Sequence, residues 1–154
     1  MKRNAEKLHV LAISSGGGHW EQLMLVLESF ENATFAYANT IEGLAEKSGV
    51  SPAYIVTDCN RDSMMQNVRC ALDVLRVIRK ERPDIIISTG AAPGIIALAL
   101  GKLFGAKTIW LDSVANSEKL SLSGKLAGKI ADLWLTQWSH LASDRGPKYF
   151  GSVL

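Results

Sequence analysis

Cysteine is almost missing from this chain: Cys59 and Cys70 are the only two in 154 residues. One falls in a polar loop and the other on a predicted helix, so no disulfide framework is written here. No Cys/His cluster has metal-ligand spacing, and no metal is expected; two unpaired thiols fit a reducing cytoplasm. Long apolar runs are also lacking. Met1-Lys2-Arg3-Asn4 opens like a signal peptide, but the apolar stretch behind it is only about six residues and has no small-residue cleavage site. The most apolar later segment, Gly94 to Phe104, is roughly half of what a bilayer span needs. No segment is expected to cross a membrane, which leaves peripheral attachment open. A strong charge of either sign is absent as well: the net charge is +2, too small to argue for nucleic acid.

Two nucleotide-binding patterns are missing in informative ways. A phosphate-loop ATPase needs Gly-x-x-x-x-Gly-Lys-Ser/Thr. Neither Gly101-Lys102-Leu103 nor Gly124-Lys125-Leu126 has the leading glycine or the trailing hydroxyl. A dinucleotide fingerprint needs a third glycine and an acid closing the second strand. Here Glu21 takes the third position, and the second strand runs out in Ala38-Asn39-Thr40. An independent nucleotide-binding enzyme is therefore disfavoured.

What remains is 47% hydrophobic and 21% charged, the composition of an ordinary globular domain spanning 1–154. Strands are predicted at Leu8–Ile13, Thr34–Ala38, Ala53–Thr57, Asp84–Ser88, Thr108–Leu111 and Asp132–Thr136. Helices are predicted at Glu21–Phe30, Ile41–Lys47, Met64–Glu81, Pro93–Phe104 and Gly124–Ile130. Strands such as Ile85-Ile86-Ile87 are apolar throughout, as when helices cover both faces of a parallel sheet. The expected fold is α/β: a doubly wound, mostly parallel, Rossmann-like sheet. On the Met64–Glu81 helix, Met64, Val68, Ala71, Leu72, Leu75 and Ile78 read as the apolar face. Arg69, Asp73, Arg76 and Lys80 form a charged stripe, either solvated or turned toward anionic lipid. His9, His140, Trp110, Trp134 and Trp138 read as structural. The tail, Tyr149 to Leu154, reads as an apolar segment docking against this domain or a partner.

Two glycine-containing loops follow the first and fourth strands. Ser14-Ser15-Gly16-Gly17-Gly18-His19 leads into a helix, where bare amides and the helix dipole favour an anion. Thr89-Gly90-Ala91-Ala92-Pro93-Gly94 does the same. In a doubly wound sheet these strands can be neighbours where the strand order reverses, which is where ligands bind. His19 is placed there as an acid/base group or hydrogen-bond donor. Asp112 and Ser113 follow the fifth strand at the same edge. Asp112 is read as an acceptor for a hydroxyl proton, as a contact for sugar hydroxyls, or as a helix cap or turn former. Lys119 and Lys125, interleaved with Leu120, Leu122 and Leu126, offer a pyrophosphate or membrane contact.

Across nearly the whole chain these segments resemble the acceptor-side subunit of two-part UDP-sugar glycosyltransferases. Eukaryotic members help add the second N-acetylglucosamine to dolichol-linked precursors, and bacterial PssD-type members serve exopolysaccharide and capsule synthesis. The resemblance rests on Ser14 to Leu23, Ser88 to Gly94, Asp112-Ser113 with Lys119 to Lys125, Ala131 to Trp134, Gln137-Trp138 and Tyr149 to Leu154. The family looks like the N-terminal lobe of a two-lobed GT-B transferase of the MurG kind, cut loose as its own polypeptide. By that resemblance the chain binds a polyprenyl-diphosphate-linked saccharide at the cytoplasmic membrane face. It is inactive alone, and a partner subunit supplies most of the UDP-sugar site; no further cofactor is implied. His19 and Asp112, which stands where the family more often has glutamate, are the implied catalytic residues. Ser15, Gly16, Gly17, Gly18, Gly90, Ala91, Gly94 and Ser113 are the implied acceptor or diphosphate contacts. A non-catalytic scaffold that recruits the donor subunit to the membrane is the alternative. Eukaryotic members carry an N-terminal membrane helix not written in these residues, so attachment is expected through a surface patch or the partner.

Overall fold

A strand buried on both faces needs apolar residues at consecutive positions, and the first strand shows how this chain uses them. In β1 (Leu8–Ile13), Val10 and Ala12 pack on one side of the sheet while Leu11 and Ile13 pack on the other. The computed structural model describes residues 6–60 and 62–154. The elements continue as α1 (Gly18–Leu27), β2 (Ala33–Asn39), α2 (Leu44–Lys47), β3 (Ala53–Ile55) and α3 (Met64–Glu81). They close with β4 (Ile85–Ser88), α4 (Ala91–Leu103), β5 (Lys107–Leu111), α5 (Leu122–Ala127), β6 (Leu133–Thr136), a 3-10 turn at Ser139–Leu141, and β7 (Lys148–Tyr149).

The strands form one seven-stranded sheet in the order β3-β2-β1-β4-β5-β6-β7. Every pairing is parallel, with Val10 to Ile13 of β1 in register with Ile85 to Ser88 of β4. The doubly wound α/β expectation holds. One core joins Trp20, Leu23 and Leu27 of α1 to Val10, Ala12 and Ile87. The other joins Cys70, Val74, Val77 and Ile78 of α3 and Ala97 and Leu98 of α4 to Leu11, Ile13, Ile86 and Trp110. Cys59 and Cys70 are free and buried in that second core, and burial pushes both thiols up.

Several features differ from the sequence expectation: α2 is shorter, and α4 begins at Ala91, so Ala91 and Gly94 lie in a helix and not in a loop. Helix α1 starts at Gly18, three residues early, so His19 lies in its first turn. Helix α5 starts at Leu122 because Ser121 caps it, accepting a 2.8 Å bond from Gly124 N. The tail adds the two-residue strand β7 beside β6. The inward face of α3 is Cys70, Val74, Val77 and Ile78. That stripe also follows the helical period, and it leaves Met64 81%, Met65 66%, Val68 54% and Leu72 47% exposed. The charged stripe of α3 is partly structural. Asp73 Oδ2 accepts from Thr57 N at 3.0 Å and Thr57 Oγ1 at 2.7 Å, and Arg76 sits 3.1 Å from Oδ1.

At the edge where strands begin, His9 is structural as expected. Its Nδ1 lies 2.7 Å from Thr34 Oγ1 and its Nε2 2.8 Å from Glu81 Oε2. Tyr54 donates its hydroxyl to Glu81, while Lys80 Nζ stands 5.2 Å over the Tyr54 ring. Burial opposes the Glu81 charge, but the bonds from Tyr54 and His9 outweigh it and hold the carboxyl below its ordinary value. The same bond, with burial, pushes the Tyr54 phenol up to about 12.

Candidate functional site

Strand order reverses between β1 and β4, and both glycine loops leave the sheet there. Gly16 lies against Ile41: a Cβ at this position would stand 2.8 Å from Ile41 Cγ1. Gly17 holds φ 69°, a left-handed conformation, and its carbonyl accepts from Trp20 N and Glu21 N. The loop therefore turns directly into α1 and delivers His19 toward β4. Thr89 Oγ1 donates to the His19 carbonyl. The imidazole lies on bare Gly90, where an added Cβ would fall 2.8 Å from His19 Cγ and closer still to Nδ1 and Cε1. His19 Nδ1 is buried and has no hydrogen-bond partner among the described residues. The two loops predicted to share a crevice are thus in contact through one ring.

His19 also lines a groove of about 670 Å³ over α4, between α3 and α5. Ala91, Ala92, Ile95 and Ile96 of α4 and Leu122 and Leu126 of α5 make it apolar. Asn60, Asn67, Asn116, Ser121 and Ser123 add uncharged hydrogen-bonding groups. An apolar trough with a few polar groups and a histidine is the usual form of a small-molecule site. Ala91 holds φ 68° as the first residue of α4, a conformation alanine rarely adopts, and it lies on the groove wall.

Asp112 is 2% exposed and fully engaged. Its Oδ1 accepts from Ser121 Oγ at 2.7 Å and Trp110 Nε1 at 3.1 Å. Its Oδ2 accepts from Ser121 N at 3.0 Å and Asn116 Nδ2 at 3.3 Å. Four donors occupy the four lone-pair directions of a carboxylate. Asp112 thereby fixes Asn116 and Ser121, which do line the groove, without lining it itself. Ser113 is buried, accepting from Gln22 Nε2 at 3.2 Å and Ala115 N at 3.2 Å. Gly94 is buried on the sheet-facing side of α4, where a Cβ would meet Ser88 Cβ at 2.8 Å and Trp110 Cζ3 at 3.1 Å. Of the glycine-loop residues, Ser15 and Gly16 are half-buried while Gly17 and Gly18 are exposed. Lys119 and Lys125 are exposed on the α5 side.

Sequence reasoning missed the groove's asparagines and two buried glutamines, Gln22 and Gln137. The available signal was a polar side chain repeated inside otherwise apolar patterns, three residues after His19 and directly after β6. Gln22 Oε1 accepts from Val114 N at 3.0 Å and from Gln137 Nε2 at 2.6 Å.

Against known proteins, residues 50–153 match the family described as oligosaccharide biosynthesis protein Alg14 like. The UDP-N-acetylglucosamine transferase subunit ALG14 of Eremothecium gossypii is 26% identical, covering 95% of this chain and 80% of that protein. The human subunit of the same name is also 26% identical, covering 97% and 84%. Among solved structures, Acinetobacter baumannii MurG superposes with TM-score 0.77 at 12% identity, over 96% of this chain and 46% of that one. Rickettsia bellii UDP-N-acetylglucosamine 2-epimerase gives TM-score 0.70 at 15% identity, over 96% and 45%. The chain spans just under half the length of these two structural neighbours, and the likeness to them is one of fold.

Proposed function

The chain belongs to the Alg14-like family of oligosaccharide biosynthesis proteins, and on that premise we propose that it is the acceptor-binding subunit of a two-component glycosyltransferase. The observation that carries the reading is the His19 ring seated on Gly90 at the β1/β4 reversal, at the head of an apolar groove. The reaction moves a sugar from a UDP-sugar to a hydroxyl of a polyprenyl-diphosphate-linked saccharide. UDP-N-acetylglucosamine is the first donor to test, since the curated relatives are named for it. A donor-binding partner completes the site, and the chain alone is inactive. The same chemistry would serve a bacterial exopolysaccharide or capsule pathway.

Transfer requires the acceptor hydroxyl to lose a proton and the leaving diphosphate to be held. His19 is the group proposed to touch the reacting atoms, with Nε2 directed to the ligand because Nδ1 is buried against Gly90. Amides of Ser15 to Gly18 and of Ala91 are proposed to receive the acceptor's phosphates, while Gly90, whose own N–H donates to Ser88 Oγ at 3.3 Å, shapes that pocket with Gly94 and Ser113 through packing. Asp112 is proposed to position the groove wall through Ser121 and Asn116. The orphaned Nδ1 favours a second role for His19. A buried N–H without an acceptor is costly, which favours the tautomer carrying its proton on Nε2, a donor to an anionic oxygen.

Peripheral contact with the cytoplasmic face of the membrane is part of the proposal. No helix among the described residues is long and apolar enough to cross a membrane. Met64, Met65, Val68 and Leu72 of α3 are exposed, as are Leu122 and Leu126 on the groove wall, and the same two helices and the loop before α5 carry exposed Arg69, Arg76, Lys119 and Lys125. Exposed apolar side chains with cations on the same elements suit an anionic lipid surface.

The test is sugar transfer by this chain reconstituted with its donor subunit. His19→Ala is expected to abolish transfer while leaving the fold and the complex intact. His19→Gln, which keeps a donor but no base, is expected to retain measurable transfer if the donor role holds and none if the base role does. Full transfer by His19→Ala would instead favour the recruiting scaffold, with all chemistry in the partner.

A further inference from the structure

Gln22 and Gln137 are 5% and 3% exposed, and their bonds connect four segments far apart in sequence: α1, residues 112–114, the residue after β6, and residues 152–153. The Gln137 Oε1 atom accepts from Ser152 Oγ at 3.2 Å and from Val153 N at 3.1 Å. Its Nε2 donates to Gln22 Oε1 at 2.6 Å and to the Asp112 carbonyl at 3.0 Å. Gln22 Oε1 also accepts from Val114 N at 3.0 Å, and its Nε2 donates to Ser113 Oγ at 3.2 Å.

Backbone groups fix the direction of both amides. Val153 N–H can only donate, so it must meet the oxygen of Gln137. The Asp112 carbonyl can only accept, so it must meet the nitrogen. Val114 N–H likewise fixes the oxygen of Gln22. Neither amide can flip without setting like against like in a site closed to water.

We propose that Gln22 and Gln137 are positioning residues, a two-amide relay through which the seating of residues 152–153 fixes the first turn of α1 and therefore His19. Gln22 lies one turn beyond His19 on α1. Two further side-chain ties hold that turn: Thr89 Oγ1 donates to the His19 carbonyl, and Trp20 Nε1 donates to Ser48 Oγ at 2.9 Å. When Ser152 and Val153 are seated, the Gln137 oxygen is occupied and its nitrogen is aimed at Gln22. When they leave, Gln137 loses both donors to its oxygen, and only its bonds to Gln22 and to the Asp112 carbonyl still hold the amide. Beside the seated segment, Phe150 is 83% and Leu154 77% exposed. Resting on the two-component reading above, a donor subunit closing over these residues would hold the segment down and so set the cleft only in the assembled enzyme.

The relay can be read in the full chain alone by NMR, without any sugar transfer, so its failure is distinct from failure of the proposed activity. The S152A/V153P double variant removes both donors to Gln137. It is expected to shift the His19 ring signal and speed Val114 amide exchange at least tenfold, leaving the His9 ring signal in place. Gln137→Glu is expected to do the same, since a carboxylate would face two oxygen acceptors. Gln22→Glu is expected to keep both readouts near those of the unaltered chain. Its carboxylate can accept from Val114 N, Gln137 Nε2 and a rotated Ser113 hydroxyl. Unmoved His19 and Val114 signals in the double variant would overturn the relay. So would a His9 shift as large as that of His19, or Gln22→Glu behaving like Gln137→Glu.

Discussion

Replacing Gly90 by alanine should separate the stability of the fold from the geometry of the site. Its φ of 160° and ψ of 170° are extended backbone that alanine adopts without strain, so the whole effect comes from the added methyl. That carbon would stand 2.8 Å from His19 Cγ, whereas carbon atoms rest at about 3.5–4.0 Å. Nδ1 and Cε1 would lie closer still, so the ring must retreat by at least about 1 Å. His19 is half-buried and opens on one side to the groove, so it can pivot outward instead of forcing β4 and α1 apart. The loss of stability should fall at or below the low end of the ~1–3 kcal/mol typical of overpacking. Displacing a reacting group by about 1 Å costs on the order of 10²-fold in rate. Urea unfolding, the His19 ring resonance and transfer by the reconstituted pair measure the three quantities separately. An unchanged ring signal would refute the packing argument. A moved ring with transfer preserved within a few-fold would refute the role of His19.

Other perturbations test other parts of the structure. Gly94→Ala drives a methyl into Ser88 and Trp110 in the core, where neither can retreat, and should cost about 1–3 kcal/mol in chemical denaturation. Tyr54 has its phenol raised from 10.0 to about 12, so it contributes stability that is complete below pH 10 and is lost as pH rises toward 12. Tyr54→Phe should flatten the decline in that window. Glu81 titrates below its ordinary 4.5, so its contribution is present above that pH and lost as pH falls through the lowered value. Glu81→Gln should weaken that acid dependence in a thermal-melt series. Lys119→Gln and Lys125→Gln should each lower affinity for anionic lipid vesicles about fivefold, or ~1 kcal/mol, with no change on neutral ones.

The sheet and its reversal point were legible because parallel strands are written as unbroken apolar runs, and Ile85-Ile86-Ile87 has no competing helical reading. The crevice was legible for the same reason: once β1 and β4 are neighbours, their glycine loops must leave the sheet together. The buried face of α3 was not. Two stripes on that helix both satisfy the helical period, and only packing against α4 chooses Cys70 and Val74 over Val68 and Leu72. Asp112 was readable as an acid at the right edge, but its four donors come partly from Ser121, nine residues away. The glutamine pair was hidden by distance, 115 residues apart along the chain. β7 is too short to show any alternation.

The titratable cluster of His9, Tyr54 and Glu81 sits where strands begin, and His19 sits where they end. The protein thus has two control points that an engineer can tune independently. Tolerance to acid, alkali and heat can be rebuilt around β1's start and the tail of α3, away from the rim that carries His19 and the groove. A variant library restricted to the first of these should change shelf life and leave the groove and the His19 ring untouched.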